Sequence, residues 1–214
     1  QLVIWQRFQD KVLLKVKSYN AVADPSLPIS ISVKNNNYEP VLFAFDIVAF
    51  STDSENTVID VTKFYSTDVK AISGLSAAMR ETYKVKAMDD SRSFITAMKS
   101  FPMNIEVVQD FTYNASNPPV MKDAETISLQ MNQSMILLPE IPMKPRLADP
   151  RVGWFTMDQI DYGSNELKSD SKTFIRRWRL EPKDPAAYAR GELVEPVKPI
   201  VYYLDPATPE KLRK

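Results

Sequence analysis

An alternation of apolar and polar residues between Thr126 and Leu138 restricts the fold of this chain more than any other feature. Apolar residues recur at every second position from Ile127, with one polar interruption, and most residues between them are polar. Because successive side chains of a strand point to opposite faces, this period of two predicts a long strand with one buried face. We expect Ile105–Tyr113 to pair with it. Along Ile105–Tyr113 the alternation of apolar and polar residues changes phase between Val108 and Phe111, which predicts a β-bulge.

The same period predicts most of the remaining elements of the first 137 residues. Leu2–Trp5 and Lys11–Lys17 are expected to form a hairpin, and further strands are expected at Ile29–Val33, Val41–Phe50 and Thr57–Val61. Val41–Phe50 is apolar at most odd-numbered and most even-numbered positions, which predicts a central strand covered on both faces. Only Asp68–Met79 has helical spacing, although Gly74 interrupts it. We therefore predict a mainly β fold of antiparallel sheets, sandwich-like or barrel-like, with one or two short helices.

The domain organisation follows from a change in composition after residue 137. Residues 138–150 carry four prolines, which predicts a stiff, extended strap over a surface. Residues 151–197 are expected to add two strands, Arg151–Phe155 and Lys172–Glu181, and a second Pro-rich connection. Residues 198–214 contain an expected strand, Pro199–Asp205, and an expected helix start at Thr208–Glu210. Because a helix of about one turn is marginal alone, we expect it to continue in a longer protein.

Composition excludes several classes of function. The 214 residues include no Cys and no His, which removes Ser-His and Cys-His catalysis, disulfides and zinc sites built on imidazole or thiolate. The chain has 27 basic and 27 acidic residues, so no net field attracts nucleic acid, and no apolar run is long enough to span a membrane. No catalytic, cofactor-binding or metal-binding residue is therefore predicted in this chain.

A basic-aromatic run, Phe174–Leu180, is the most pointed local motif. On a strand, Arg177 and Arg179 would share one face, while Trp178 would lie on the other. A nucleic-acid interpretation would place the arginines on phosphates and the tryptophan on a base. The balanced charge favours instead pairing of the arginines with carboxylates or with a neighbouring domain.

Five segments together resemble one family: Ser134–Pro139, Pro142–Arg146, Asp149–Thr156, Arg176–Glu181 and Pro196–Asp205. They are similar to bacterial zinc-dependent metalloproteases of the metzincin-like kind, in which an uncharacterised β-rich domain precedes the catalytic domain. The resemblance implies that residues 1–137 are an accessory domain and that residues 198–214 begin the peptidase domain. It also implies that the whole protein is a zinc metallopeptidase, with zinc in the downstream domain, and that it is extracytoplasmic.

The expected partner is therefore the chain's own peptidase domain, with self-association through unpaired strand edges as a further expectation. The candidate interface residues are Arg151, Trp154, Arg177, Trp178 and Arg179. A prodomain-like latency role is a separate hypothesis. Since the chain has no thiol, a carboxylate such as Asp149 would have to occupy the zinc.

Two other classes of function remain open from the sequence. The first is a free-standing β-sandwich module that binds glycan or peptide through exposed aromatic side chains, for which the candidates are Trp5, Trp154, Trp178, Tyr202 and Tyr203. The second is a carboxylate-based hydrolase, which needs two acids facing each other in a cleft. The available acids are Asp158 with Asp161, Asp89 with Asp90, and Asp149, although solvated surface is the favoured interpretation of all of them.

Overall fold

The computed structural model describes residues 1–53, 55–164 and 168–213. It confirms a mainly β fold of antiparallel sheets, and the described residues contain four short α-helices where one or two were expected. The chain divides into two compact units: unit 1 comprises residues 1–19 and 31–142, and unit 2 comprises residues 20–30 and the chain from Met143. Residues 165–167, inside the predicted 151–197 region, and residue 214, in the predicted peptidase start, lie outside the described residues.

The strands are, in chain order, β1 (Val3–Phe8), β2 (Lys11–Val16), β3 (Ala21–Val22), β4 (Val41–Phe50), β5 (Thr57–Ile59), β6 (Val85–Met88), β7 (Phe94–Ser100), β8 (Asn104–Ala115), β9 (Thr126–Ile136), β10 (Thr156–Asp161) and β11 (Asp170–Ile175). The helices are α1 (Ile29–Asn36), α2 (Thr62–Ser66), α3 (Ala77–Thr82) and α4 (Pro185–Ala189). Short 3₁₀ turns add to these elements. None of the helices in the described ranges has the length and hydropathy that crossing a bilayer requires.

The first sheet of unit 1 has the strand order β1-β2-β4-β5. The expected β1–β2 hairpin forms, with Val3 opposite Val16 and Phe8 opposite Lys11. The strand β4 lies between β2 and β5 as predicted, but only one of its faces is covered. Phe45 is buried, whereas Val48 is 65% exposed. The prediction of a strand covered on both faces was therefore wrong, because the core of this sheet lies on one side only.

The second sheet is organised around β8. The strand β9 pairs with β8 in continuous register from Asn104 opposite Ile136 to Asn114 opposite Thr126, while β7 and β6 pair with the other edge of β8. The expected bulge in β8 is absent from this register. Gln109, a polar residue, occupies an inward position and is fully buried, so the interior parity continues unbroken. The irregularity lies instead in β7, between Ile95 and Ala97.

Two groups of apolar side chains form the core of unit 1. The first contains Leu14, Phe45, Phe64, Tyr65 and Val107, with several edge-on ring contacts among its aromatic residues. The second contains Leu75, Phe111, Tyr113 and Met131. The segment from α2 to α3 supplies Phe64, Tyr65 and Leu75, so this segment covers the inner faces of the strands.

Two predicted elements of the first 137 residues are replaced by others. Ile29–Val33 is helical in α1, because Pro28 precedes the first turn and the Asn37 side chain donates to the Val33 carbonyl at the C-terminal end. The predicted helix Asp68–Met79 is divided into a 3₁₀ turn, Lys70–Ile72, and α3. Ser76 has an extended backbone and caps α3 by accepting from the Met79 amide, which ends the earlier turn.

The sheet of unit 2 has the order β11-β10-β3. The predicted strand Arg151–Phe155 was wrong, since the observed strand, β10, begins only at Thr156, directly after the end of the predicted one. The predicted strand Lys172–Glu181 was right only up to Ile175, because β10 offers no residue beyond Thr156 to pair with the rest. The faces assigned to Arg177, Trp178 and Arg179 from strand alternation therefore do not apply.

Candidate interaction surface

The Pro-rich strap of residues 138–150 lies beside β11 over part of its length. The Ala148 amide donates to the Thr173 carbonyl at 2.8 Å, and the Ile175 amide donates to the Arg146 carbonyl at 3.0 Å. The guanidinium of Arg177 continues this contact, because its Nη2 donates to the Lys144 carbonyl at 3.0 Å. Arg177 is thus one of the candidate residues that the structure joins to the strap.

Asp149 and Arg151 form a local ion pair in the turn between the strap and β10. The Arg151 Nη2 lies 2.6 Å from Asp149 Oδ2, and the Arg151 amide donates to Asp149 Oδ1 at 3.0 Å. These hydrogen bonds hold the pKa of the Asp149 carboxyl below its usual value. Asp149 is therefore already bonded to Arg151, and a latency role would require that pair to separate.

Trp154 lies on the segment that leads into β10, and Trp178 and Arg179 lie on the segment that follows β11. The Arg176 amide donates to the Phe155 carbonyl at 2.7 Å, so Trp154 and Arg177 are the next residues on adjacent segments. Trp154 and Trp178 are 48% and 62% exposed. The Nε of Arg179 donates to Glu181 Oε1 at 2.7 Å. Arg151 and Arg179 thus each pair with an acid two residues away in sequence.

The second Pro-rich connection is a closed loop that contains a helix. The Val197 amide donates to the Glu181 carbonyl, and the Lys183 amide donates to the Glu195 carbonyl, so the ends of the loop lie side by side. Asp184 caps α4 by accepting from the amides of Ala186 and Ala187. Asp-Pro at the start and a glycine with positive φ, Gly191, after the end were the sequence signals for this helix.

The predicted strand Pro199–Asp205 does not form a strand within the described residues. Its backbone is irregular or extended and pairs with no strand of the described ranges, and Tyr202 and Tyr203 are 80% and 93% exposed. The helix start expected at Thr208 is a 3₁₀ turn, Glu210–Leu212, that has Pro209 at its N-cap. A β-strand needs hydrogen-bonding neighbours, and the described residues of unit 2 provide none for this segment.

Unit 2 has almost no hydrophobic core of its own. Of the buried apolar residues other than proline in the described ranges, eleven belong to unit 1 and one, Ala187, belongs to unit 2. Unit 2 instead exposes many large apolar side chains, among them Leu147, Phe155, Trp178, Leu193, Val201 and Tyr203. These exposed apolar side chains make unit 2 a candidate interaction surface.

A family model described as a domain of unknown function, DUF5117, matches residues 1–183. The chain belongs to the DUF5117 family. Comparisons with curated proteins and with solved structures gave no match. The matched range contains Asp149 and all five candidate interface residues, whereas Tyr202 and Tyr203 lie beyond it.

The described part of the DUF5117 chain was compared with what metal binding and ligand binding require. No group of three or more acidic side chains in it is arranged to hold a metal ion. The open grooves include one of about 450 Å³ beside Leu27 and Tyr162 in unit 2 and one of about 470 Å³ beside Lys86 and Asn114 in unit 1. The aromatic side chains proposed for glycan or peptide binding line neither groove.

The sequence interpretation missed several exposed residues of this DUF5117 surface. Leu147, Phe155 and Leu193 were not singled out, although they are 65%, 86% and fully exposed. They lie in Pro-rich or irregular segments, where no period of two or 3.6 distinguishes a covered from an exposed position. The available signal was the presence of large apolar residues in segments too rich in proline to bury them within a sheet.

Proposed function

We propose that the DUF5117 chain is a non-catalytic accessory region that docks onto a second domain through unit 2. One observation carries the proposal: among its described residues, unit 2 buries a single non-proline apolar residue and leaves large aliphatic and aromatic side chains in contact with solvent. Burying one such side chain contributes about 1.5–3 kcal/mol, so covering several of them stabilises a complex substantially. The partner surface should be complementary in shape and predominantly apolar.

The proposed second domain is a downstream zinc-dependent peptidase of the metzincin-like kind, in the same polypeptide. The support for this identity is the resemblance of the segments between Ser134 and Asp205 to that family. Zinc would belong to the peptidase domain. The residues of this chain do not fit a zinc centre, since it has neither His nor Cys. The same resemblance supports an extracytoplasmic location.

The proposed docking surface comprises Arg151, Trp154, Arg177, Trp178 and Arg179, and it also includes Ile200–Leu204, which follows them in the chain. Exposed tryptophan and arginine side chains are the residue types that contribute most at protein interfaces. Ile200–Leu204 contains Tyr202 and Tyr203 and has an unpaired backbone within the described residues, so it is suited to joining a sheet of the partner.

The experiment compares the full-length protein with its separately produced peptidase domain. We expect the separate domain to have a lower folding yield or melting temperature, and we expect this chain, added as a second polypeptide, to restore part of the difference. Trp178→Ser and Tyr203→Ser should weaken the restoration. Phe8→Ser, at an exposed aromatic position of the β1–β2 hairpin, is the control and should not. Identical behaviour of the two proteins, or a full-length protein without zinc-dependent peptidase activity, would contradict the proposal.

The latency hypothesis is tested with the same full-length protein. If Asp149 restrains the peptidase, Asp149→Ala should raise the rate of substrate cleavage, whereas Arg151→Ala should lower it by releasing the carboxylate from its pair. Unchanged activity in Asp149→Ala would remove the latency role and leave the docking role intact.

A glycan- or peptide-binding module is the second candidate function, favoured by the exposure of Tyr202 and Tyr203. Exposed tyrosine rings are suited to stacking on sugar rings or on peptide side chains. Titration of the chain with soluble oligosaccharides and unstructured peptides, followed by tryptophan and tyrosine fluorescence, separates the candidates. Saturable binding that Tyr203→Ser abolishes would favour the module.

A further inference from the structure

The strand β9 (Thr126–Ile136) is paired along only one of its edges in the described part of the chain. The Ala115 amide donates to the Glu125 carbonyl, and the Leu137 amide donates to the Met103 carbonyl. Hydrogen-bonded pairs alternate with non-hydrogen-bonded pairs in an antiparallel ladder, so the odd-numbered residues of β9 bond to β8. The even-numbered residues therefore direct their N–H and C=O groups to the free edge: Thr126, Ser128, Gln130, Asn132, Ser134 and Ile136.

This free edge lacks the features that usually prevent strands from pairing with other chains. Each of the other edge strands of unit 1 is short or carries a charged residue: β1 contains Arg7, β6 contains Lys86, β7 contains Lys99 and a bulge, and β5 has three residues. The eleven residues of β9 include no charged residue and no proline, and their register with β8 is regular. A long, regular, uncharged edge of this kind is a template for strand addition.

The order of residues in β9 points to the occupant of that edge. Around Met131 the free-edge residues are symmetric: Gln130 and Asn132 are amides, and Ser128 and Ser134 are hydroxyl residues. We infer that two copies of this chain pair through β9, antiparallel, about a two-fold axis at Met131. Gln130 then lies opposite Asn132 of the second copy, and Ser128 lies opposite Ser134 of the second copy. This inference does not rest on the proposed docking to a peptidase domain.

Pairing about Met131 gives every free-edge residue of β9 a partner. Each hydrogen-bonded pair of an antiparallel ladder exchanges two backbone hydrogen bonds, and the symmetric register includes all six even-numbered positions. The pleat is also continuous, because Ser128, Gln130, Asn132 and Ser134 of both copies lie on one face, and the half-buried Leu129 and the buried Met131 lie on the other. With no charged residue in the strand, no like charges of β9 meet across the axis.

The polar side chains of β9 are already held in place within one copy. The Gln130 Nε2 donates to Asp110 Oδ1 at 2.8 Å, and the Asn132 Nδ2 donates to Glu106 Oε2 at 3.0 Å. Ser134 Oγ also donates to Glu106, at 2.6 Å. These contacts to β8 reduce the side-chain entropy that association would otherwise remove.

The oligomeric state of the whole chain tests the inference. Light scattering after size exclusion should give a dimer, and hydrogen exchange should show concentration-dependent protection of the amides of Ser128, Gln130, Asn132 and Ser134. Asn132→Pro removes a free-edge N–H without removing a β8–β9 hydrogen bond, and it should weaken the dimer on the order of a hundredfold. Asn132→Ala is the matched control, because it keeps the N–H and should leave the dimer within about threefold of the original affinity.

The register is tested with introduced thiols, since the chain has no cysteine. Directly opposite residues have Cα atoms about 5.5 Å apart, within disulfide range, whereas residues displaced by two positions lie about 7–8 Å apart. A mixture of Gln130→Cys and Asn132→Cys chains should therefore cross-link on oxidation, and each variant alone should cross-link at least tenfold less. A chain that stays monomeric, a dimer unchanged by Asn132→Pro, or equal cross-linking of the single variants and the mixture would overturn the inference.

Discussion

The side-chain amide of Gln109 donates a hydrogen bond from Nε2 to the backbone carbonyl of Tyr65. Gln109 lies on β8 and Tyr65 lies in α2, so this bond fixes the helix to the sheet inside the core of unit 1. Gln109 has no exposed surface, and its Oε1 accepts no hydrogen bond from any described residue. One side chain therefore supplies a hydrogen bond to the Tyr65 carbonyl and leaves its own amide oxygen unpaired in the core.

Gln109→Glu should make the stability of the protein depend on pH. Burial raises the pKa of the introduced carboxyl above its unfolded value of about 4.3, so the folded state binds more protons than the unfolded state above that pH. Stability should then fall as the pH rises, with a loss of at least about 3 kcal/mol at pH 8 relative to the original protein. Urea denaturation at pH 5 and pH 8 measures the difference.

Gln109→Met is the control for this prediction, because it removes the hydrogen bond at similar volume without adding a charge. It should cost about 1–2 kcal/mol at both pH values, since the Tyr65 carbonyl loses its donor while the unpaired oxygen also disappears. Equal loss of stability by Gln109→Glu at pH 5 and pH 8 would contradict the assigned burial of this side chain.

Arg80 holds the segment before α3 in place, and Arg80→Lys should destabilise unit 1. The Arg80 Nη1 donates to Asp68 Oδ2 at 2.7 Å, Nη2 donates to Asp68 Oδ1 and to Ser73 Oγ, and Nε donates to the Leu75 carbonyl. A lysine keeps the charge but cannot form this fork of hydrogen bonds, so we expect a loss of about 1–2 kcal/mol in urea denaturation.

Tyr113→Phe provides an independent test of the same network. The Tyr113 hydroxyl donates to Asp68 Oδ1 at 3.1 Å, and its removal should cost about 1 kcal/mol. In the double variant with Arg80→Lys the two losses should not add, because both residues bond to the same carboxylate. Strict additivity would show that the two contacts are energetically separate.

The sequence predicted the β8–β9 pair and the β1–β2 hairpin because their apolar positions alternate over many residues. It failed at Gln109, because a polar side chain at an inward position is indistinguishable by pattern from a change of parity. It failed at Ile29–Val33 because the local effects of Pro28 and Asn37 outweighed an alternation of only five residues. The structure of such short segments depends on which hydrogen bonds form, and the pattern of apolar and polar residues does not reveal those hydrogen bonds.

The candidate surface of unit 2 was predictable in part. Trp154 and Trp178 were selected as aromatic residues of two predicted strands, and both are exposed, although neither lies in a strand of the structure. The partner of Arg177 was not predictable, because the path of the strap brings the Lys144 carbonyl to it, whereas the partner of Arg151, Asp149, lies only two residues away. Strand positions after Asp149 shifted because pairing with β3 and β11 fixes β10 at Thr156–Asp161.

Gly74→Ala should destabilise the protein, because Gly74 lies against β9. A Cβ at this position would lie 2.8 Å from Leu129 Cδ1 and 3.0 Å from Met131 Sδ. Overpacking of this kind costs about 1–3 kcal/mol. Gly153→Ala is the matched control, since a Cβ there has no described atom within 4 Å and should change stability by less than about 0.5 kcal/mol. Thermal denaturation of both variants measures the contrast, and equal melting temperatures would contradict the close approach of Gly74 to β9.

Glu39 should contribute to the acid sensitivity of unit 1. Lys17 Nζ donates to Glu39 Oε1 at 2.7 Å, and Lys15 Nζ lies 3.1 Å from Oε2. These contacts, first that of Lys17, hold the pKa of the Glu39 carboxyl below its usual value. The folded state therefore binds fewer protons than the unfolded state, and the contribution is present above about pH 4.3 and lost as the pH falls through the lowered pKa.

Glu39→Gln should accordingly cost about 1–2 kcal/mol at pH 7, because it removes the carboxylate from the nearly buried Lys15. The difference from the original protein should narrow steadily below pH 4, since protonation removes the same charge from Glu39 itself. Urea denaturation between pH 3 and pH 7 follows this convergence, with Glu140→Gln, at an exposed position of the strap, as the control that should show no loss. Parallel stability curves for the original protein and Glu39→Gln across this range would mean that the Glu39 carboxylate does not stabilise the folded state through its lysine partners.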